Sequence, residues 1–489
     1  MSAPTQASPV RPPDHRPGAK VRRTLAGRLA TAAAVAVAIT AIPVVTLVVP
    51  NTVSYVVAQA LRDLALDPGQ GPGLVRANGL ALPALLLAVP ISAVAARRIP
   101  AWLVLLTGLL CVLAGGMAAR FAGTVPLIGA ARAAQGIGAG VILPATLVLV
   151  WERRGRVLIT IWAGLFTAAL LLAMPLAMGA VPAGPAGSGA VTRGGGDWRA
   201  VLQPYPWLIG VALAALAAFV ILRIRAKARP LPVLRHTERT QLLLPFVPAA
   251  GFAFLAVVTT YGWSPGAQLI VAGIGLAALL GLAVVGTRNA TTGSPHGFAV
   301  VILTTGLLTA PVAAPLTGLL GTRLGPQGVP LLPFAGGAAA ALAGALVTAR
   351  LRDRDCRTAV LCGHGLVIIG VLVFLTTDAT TDTWLLTVPL VALGGGTGAA
   401  LAGSLRGTAL GSALFGVALC FPAVLTGYLI VGPLQVAKVN EAVEAGGGQQ
   451  DVVYALTAAF RIWLVLAGVI GVVLAAGAVL AARRPPEPR

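Results

Sequence analysis

The chain has 489 residues, of which 57% are hydrophobic and 10% are charged, and its mean hydropathy is +0.91. Soluble domains carry about 25% charged residues, so this composition excludes a soluble enzyme, a disordered protein and a disulfide scaffold. A formal net charge of +21 would suggest nucleic acid as a partner of a soluble protein, but a chain this apolar fits the lipid bilayer as its solvent.

The first 28 residues are rich in proline and basic side chains, which predicts a disordered tail. From residue 29 onwards, apolar stretches alternate with breaks that carry proline, glycine or charge. A membrane helix needs about 20 mostly apolar residues. Fourteen such stretches can be marked, at approximately 31–57, 77–95, 101–122, 127–150, 157–181, 205–225, 241–261, 267–287, 298–320, 329–349, 358–377, 384–404, 409–433 and 455–482. The sequence therefore predicts an all-α integral membrane protein with 14 transmembrane helices.

The distribution of basic residues predicts the topology. If the N-terminus is cytoplasmic and the spans alternate, most of the 35 lysine and arginine residues fall on the cytoplasmic side. Both termini are therefore expected in the cytoplasm, and the expected location is the cytoplasmic (inner) cell membrane. On this interpretation the positive charge needs no nucleic acid, and membrane lipids are its expected partners.

The distribution of acidic residues excludes several chemistries. All 14 aspartate and glutamate residues fall between or beyond the predicted spans. An intramembrane pair of carboxylates, which acid–base catalysis or a carboxylate-rich metal site would need, is therefore not expected. The sequence predicts no enzyme, no metal site and no cofactor.

Five polar residues in the spans are candidates for substrate binding or ion coupling. Arg132, followed one turn later by Gln135, should face a cavity or a partner, or else extend to the outer interface. His364 is either a proton carrier or a histidine held by structural hydrogen bonds. Asn51 and Asn78 could line a polar cavity or bond a neighbouring helix.

Four segments resemble the fourteen-helix drug/proton antiporter branch of the major facilitator superfamily. In chain order they are RAAQGIGAGVILPATL (132–147), DWRAVLQPYP (197–206), YGWSP (261–265) and GTRLGPQGVPLLP (321–333). The resemblance implies the major facilitator fold, with six-helix bundles at 29–225 and 298–482, two extra central helices within 226–297, and a short tail at 483–489. It also implies gating or helix-bending roles for Arg97, Gly136, Gly140, Pro175 and Gly179. Close helix packing is the alternative role for the glycines of the fourth helix.

Departures from the family pattern remove acidic groups. Pro50 stands in the place of an acidic residue, Ala96 replaces an aspartate beside Arg97, and Gly286 replaces a glutamate. In the fifth helix, Met174 and Met178 replace glycines. Because the family uses those acids for gating or coupling, we expect a cavity that favours neutral, anionic or lipid-like molecules over cationic drugs.

Two functions follow from these observations. The first is a secondary active transporter, similar to multidrug efflux proteins, that exports hydrophobic or amphipathic small molecules by alternating access. The alternative is a transport-inactive scaffold that partners an envelope protein, which the loss of motif residues would also explain.

Overall fold

The structure is a computed structural model and describes residues 17–153, 155–182, 197–225, 236–258, 263–288, 294–377 and 383–482. These residues form α-helices and short 3-10 helices. The α-helices are α1 (Pro17–Leu47), α2 (Val57–Asp63), α3 (Gly71–Gly79), α4 (Ala81–Arg98), α5 (Ala101–Arg120), α6 (Val125–Glu152), α7 (Arg156–Gly179), α8 (Trp207–Arg225), α9 (His236–Leu243), α10 (Phe246–Val258), α11 (Pro265–Arg288), α12 (Phe298–Leu308), α13 (Ala310–Leu324), α14 (Leu331–Arg350), α15 (Cys356–Thr376), α16 (Thr387–Leu405), α17 (Leu410–Glu444) and α18 (Gln449–Ala482).

The prediction of fourteen membrane helices is confirmed, because fourteen helical segments of the described chain are long and apolar enough to cross a bilayer. Some spans consist of two helices in sequence. The ninth is α12 followed by α13, which meet at Thr309 just before Pro311. Proline lacks the N–H that continues a helix and restricts the residue before it, which accounts for the break.

The first helix differs from the prediction at both ends. It begins at Pro17, so residues 17–28 are helical instead of belonging to a disordered tail. This segment contains three arginines, two alanines and one leucine, which favour helix. The helix ends at Leu47, ahead of Pro50, so Asn51 lies beyond the first span and not within it.

Several acidic residues also lie in helices, although the sequence placed them in loops. Glu152 is the last residue of α6, Glu238 lies in α9, and Glu441 and Glu444 lie in the last turns of α17. These helices continue past the apolar segments that hydropathy detects. The acidic residues are therefore at helix ends, away from the middle of the spans.

The helices pack as two groups that follow chain order. In the first group, α6 packs between α4 and α5, and α1 packs against α6, α7 and α8. In the second, α16 packs between α14 and α15, and α17 packs against α12 and α18. The groups meet where α7 lies on α14 and α4 lies on α17, while α10 contacts both α4 and α17. The exact domain limits given above stay a prediction.

Glycines allow the closest of these contacts. A Cβ atom on Gly140 would lie 2.7 Å from the carbonyl oxygen of Leu85, and one on Gly136 would overlap the backbone of Ala81. The same holds in the second group, where Gly398 lies against the backbone of Ala341. Small residues of this kind let helix backbones approach each other in membranes. The glycines of α6 thus serve helix packing.

Candidate functional site

Arg132 is the centre of a buried polar cluster. Its side chain is 2% exposed, so it does not extend to the membrane surface. Nη1 donates to Oε1 of Gln135 at 2.7 Å, Nη2 donates to the carbonyl oxygen of Val48 at 2.7 Å, and Nε donates to the carbonyl oxygen of Asn78 at 3.1 Å. Two longer bonds, of 3.2 and 3.4 Å, reach the carbonyl oxygens of Leu202 and Pro50. All five acceptors are uncharged.

The backbone geometry explains why these carbonyls are available. Those of Val48 and Pro50 follow the end of α1, and that of Asn78 lies in the last turn of α3. The last carbonyls of a helix have no partner within the helix and carry partial negative charge. Arg132 therefore satisfies one carbonyl in the last turn of α3 and two in the non-helical segment just after α1, which offsets part of the cost of burying its charge.

Two asparagines extend the cluster away from Arg132. Nδ2 of Asn78 donates to Oδ1 of Asn51 at 2.6 Å, and Nδ2 of Asn51 donates to the carbonyl oxygen of Val75 at 3.2 Å. Asn78 is buried, whereas Asn51 is half-buried. The structure thus brings together four of the five predicted site residues, namely Arg132, Gln135, Asn51 and Asn78.

A small cavity adjoins this cluster. Its volume is about 20 Å³, and its lining includes Arg132, Gln135, Gln203 and Tyr205. The Nε2 atom of Gln135 is buried and has no hydrogen-bond partner among the described residues. Since Oε1 of Gln135 accepts from Arg132, the free amide group is a donor. The site therefore offers one hydrogen-bond donor, the amide of Gln135, beside the positive charge of Arg132, whose own five N–H groups are all engaged.

His364 lies apart from the cluster, in α15. It is 2% exposed. Its Nδ1 atom lies 2.8 Å from the carbonyl oxygen of Val360, and its Nε2 atom lies 3.2 Å from Oγ1 of Thr304. A carbonyl only accepts, so Nδ1 carries a proton. Both ring nitrogens have partners, as in a structural histidine, and a role of His364 in coupling stays a prediction.

Arg97 forms an ion pair that the sequence did not predict. Its Nη2 atom lies 3.1 Å from Oε1 of Glu238, with side-chain exposures of 3% for Arg97 and 21% for Glu238. The same oxygen faces the start of α17, where a Cβ atom on Gly411 would lie 2.9 Å from it. An acidic side chain is favourable at a helix N-terminus. Glu238 therefore joins α4 of the first group to α17 of the second.

A second ion-pair cluster lies at the same end of the molecule. Asp353 accepts from Arg406 at 2.6 Å and from Arg156 at 3.3 Å. Arg156 begins α7 in the first group, whereas Asp353 precedes α15 in the second. We call the end that carries these two clusters the Arg97 face, defined by Arg97, Glu238, Arg156, Asp353 and Arg406.

Contacts at the opposite end also join the groups. The hydroxyl of Tyr55, in the 3-10 helix after α1, lies against α13, 3.5 Å from the position of a Cβ atom on Gly321. The side chain of Gln327 donates to the carbonyl oxygen of Val181, after α7, at 3.2 Å. The two groups of helices are thus linked by polar contacts at both ends.

Two helix-bending residues of the fifth span lie where the sequence placed them. Pro175 is buried inside α7, and Gly179 ends that helix. A Cβ atom on Gly179 would lie 3.2 Å from the hydroxyl of Tyr205, which donates to the carbonyl oxygen of Leu176. Gating roles for these residues stay predictions.

Solved structures with a similar arrangement of helices carry transporter names. The proton:xylose symporter XylE is similar over 93% of this chain and 95% of its own, with a TM-score of 0.53 and 11% sequence identity. A bacterial homologue of the human peptide transporters PepT1 and PepT2 is similar over 94% of this chain and 99% of its own, with a TM-score of 0.54 and 15% identity. The fold is that of the major facilitator superfamily.

Sequence comparison assigns the chain to no family. No protein-family model matches the chain, and no curated protein matches it. The antiporter branch suggested by the motifs therefore stays a prediction, and part of its YGWSP segment lies outside the described residues. Among the residues that the structure describes, no group of histidine, cysteine and acidic side chains could hold a metal ion.

Proposed function

We propose that the protein is a secondary active transporter that exports hydrophobic or amphipathic small molecules across the cytoplasmic membrane by alternating access. Neutral, anionic and lipid-like molecules are its favoured substrates. The Arg97 face is the cytoplasmic face in this proposal, because the basic residues concentrate on that side.

The buried charge of Arg132 carries this proposal. Its five acceptors are uncharged, so an anionic substrate would meet a positive charge without a neighbouring acid. A cationic substrate would lose its hydration there without gaining an opposite charge. Among the described residues, the acids that are not exposed are Glu152, Glu238 and Asp355, and each lies at a helix end and already pairs with an arginine.

The contacts between the two groups of helices support alternating access. Such a mechanism needs contacts at each end that can break while those at the other end hold. The Arg97 face provides two ion-pair clusters, and the opposite end provides the contact of Tyr55 with α13 and the hydrogen bond of Gln327. Because each of these polar contacts involves only a few residues, it can break without disrupting the apolar packing inside each group.

Uptake into inverted membrane vesicles tests the proposal. The vesicles receive a cationic dye, a neutral amphiphile or an anionic lipid analogue, with and without a proton gradient. We expect gradient-dependent uptake of the neutral or anionic probe, reduced about tenfold or more in Arg132→Gln because a charge-assisted bond is lost. Arg132→Lys should retain more activity, since the charge remains. Arg120→Gln is the matched control, because Arg120 is exposed at the end of α5.

The outcomes separate the two functions that the sequence left open. Uptake of the cationic dye alone would contradict the charge argument. A folded protein that takes up none of the three probes would favour the alternative, a transport-inactive scaffold that binds an envelope protein.

A further inference from the structure

A large cavity lies away from Arg132, between α3, the segment after α1 and the last turn of α10. Its volume is about 780 Å³, within the range of about 300–1,000 Å³ that is usual for ligand pockets. Asn51 and Arg76 line one part of it, and Leu80, Ala256 and Val257 line another. The cavity is therefore large enough for a small molecule and is bounded by both membrane helices and a polar segment.

The lining combines one positive charge with apolar surface. Among the described lining residues, Arg76 is the single charged side chain and Asn51 the single amide, while the others are aliphatic residues, glycine or proline. Guanidinium groups bind carboxylate and phosphate groups through paired, charge-assisted hydrogen bonds. An apolar chain would in turn gain from burial against the aliphatic lining. The chemistry thus matches a molecule with an anionic end and an apolar chain.

The cavity is also linked to the buried arginine. Asn51 lines the cavity and accepts from Asn78 at 2.6 Å, and the backbone carbonyl of Asn78 accepts from Arg132 at 3.1 Å. A ligand that hydrogen-bonds Asn51 would therefore extend the polar cluster of Arg132.

We propose that this cavity binds a single-chain amphiphile with an anionic head group. The head group pairs with Arg76 and contacts Asn51, and the chain lies against the aliphatic residues of α3, α4 and α10. As a statement about substrate class, the inference rests on the proposed function, but binding itself needs no transport.

Binding of radiolabelled laurate to the full-length protein in phosphatidylcholine nanodiscs tests the site, with empty nanodiscs as the background. Arg76→Gln removes the charge, and Arg76→Lys keeps it. Gly73→Leu fills the cavity, because a Cβ atom on Gly73 would meet no atom within 4 Å. Gly69→Leu is its control, since Gly69 is equally open but does not line the cavity. Arg62→Gln, an exposed position on α2, is the control for charge.

We expect Arg76→Gln and Gly73→Leu to weaken laurate binding about tenfold or more, and Arg76→Lys to weaken it about threefold at most. Neither control should change it, and dodecanol should bind the unaltered protein about tenfold more weakly than laurate. Equal affinities for laurate and dodecanol would overturn the inference, as would equal effects of Gly73→Leu and Gly69→Leu. Laurate binding without uptake of any probe into vesicles would contradict the proposed function and not the site. Uptake of a neutral probe by a protein that does not bind laurate would contradict the site alone.

Discussion

Removing the negative charge of Glu238 should open the Arg97 face. Glu238→Gln keeps the size of the side chain but leaves the positive charge of Arg97, which is 3% exposed, without its acidic partner. It also removes a favourable charge from the start of α17. The ion pair joins the two groups of helices, so its loss should destabilise the conformation in which this face is closed.

The size of the effect follows from the burial of the pair. An exposed ion pair contributes up to about 1 kcal/mol, whereas breaking a buried one costs about 3–5 kcal/mol. Because Glu238 is 21% exposed and Arg97 is almost fully buried, we expect Glu238→Gln to destabilise the closed conformation by about 2 kcal/mol, between these two limits. That energy changes the ratio of closed to open molecules by a factor of about 30.

Spin labels at Ile99 and Arg357 would measure this ratio by electron–electron double resonance in a cysteine-free background. Both positions are exposed: Ile99 follows α4, and Arg357 lies in the first turn of α15, in the other group of helices. In Glu238→Gln we expect a larger share of long distances. Glu441→Gln is the matched control, because it removes an acid from an exposed pair with Lys438 at the other end of α17.

A double-mutant cycle completes the test. Arg97→Gln should produce a similar shift, and the double variant should add little to either single change, since one interaction is removed in all three. Unchanged distances in a folded Glu238→Gln protein would refute a role of this ion pair in holding the face closed.

Three further expectations concern stability and the second ion-pair cluster. Asp353→Asn should lengthen the same spin-label distance, because Asp353 pairs with Arg156 across the two groups, and no lengthening would contradict a linking role. Gly136→Ala should lower the thermal unfolding temperature in detergent, because its Cβ atom would overlap the backbone of Ala81, whereas Gly210→Ala, in open space on α8, should leave it unchanged or raise it. Burial lowers the pKa of His296 below its ordinary value of 6.5, although Asp353 opposes this shift. The unfolded chain therefore binds the proton first as the pH falls, so stability should decrease below about pH 6.5, and a His296→Asn variant with the same pH dependence would contradict this assignment.

The spans could be predicted from sequence because the bilayer imposes one length and one polarity on every crossing segment. Their ends could not. Hydropathy does not detect the polar part of a helix that continues beyond its apolar segment, as α17 does up to Glu444. It also does not detect a break in the helix inside an apolar segment, such as the break at Thr309 between α12 and α13.

The site could be predicted only as a set of buried polar residues. That Arg132 is costly to bury could be inferred from the sequence, but its partners are backbone carbonyls, which every residue has and no side-chain pattern marks. Glu238 was missed for a different reason. It lies 141 positions from Arg97, in a segment that reads as a polar linker, and only the packing of α9 against α4 and α17 brings them together.

The placement of Glu238 changes what the missing acids mean. Because Ala96 replaces the aspartate beside Arg97, the sequence suggested that the acidic partner of Arg97 in gating had been lost. In the fold, Glu238 of α9 places its carboxylate beside Arg97 and the start of α17. Negative charge is therefore kept at the Arg97 face, where it can hold the two groups of helices together, while the buried cluster around Arg132 stays positive. This separation assigns different effects to the two charges. Loss of Glu238 should alter the balance of conformations, and loss of Arg132 should alter which molecules are carried.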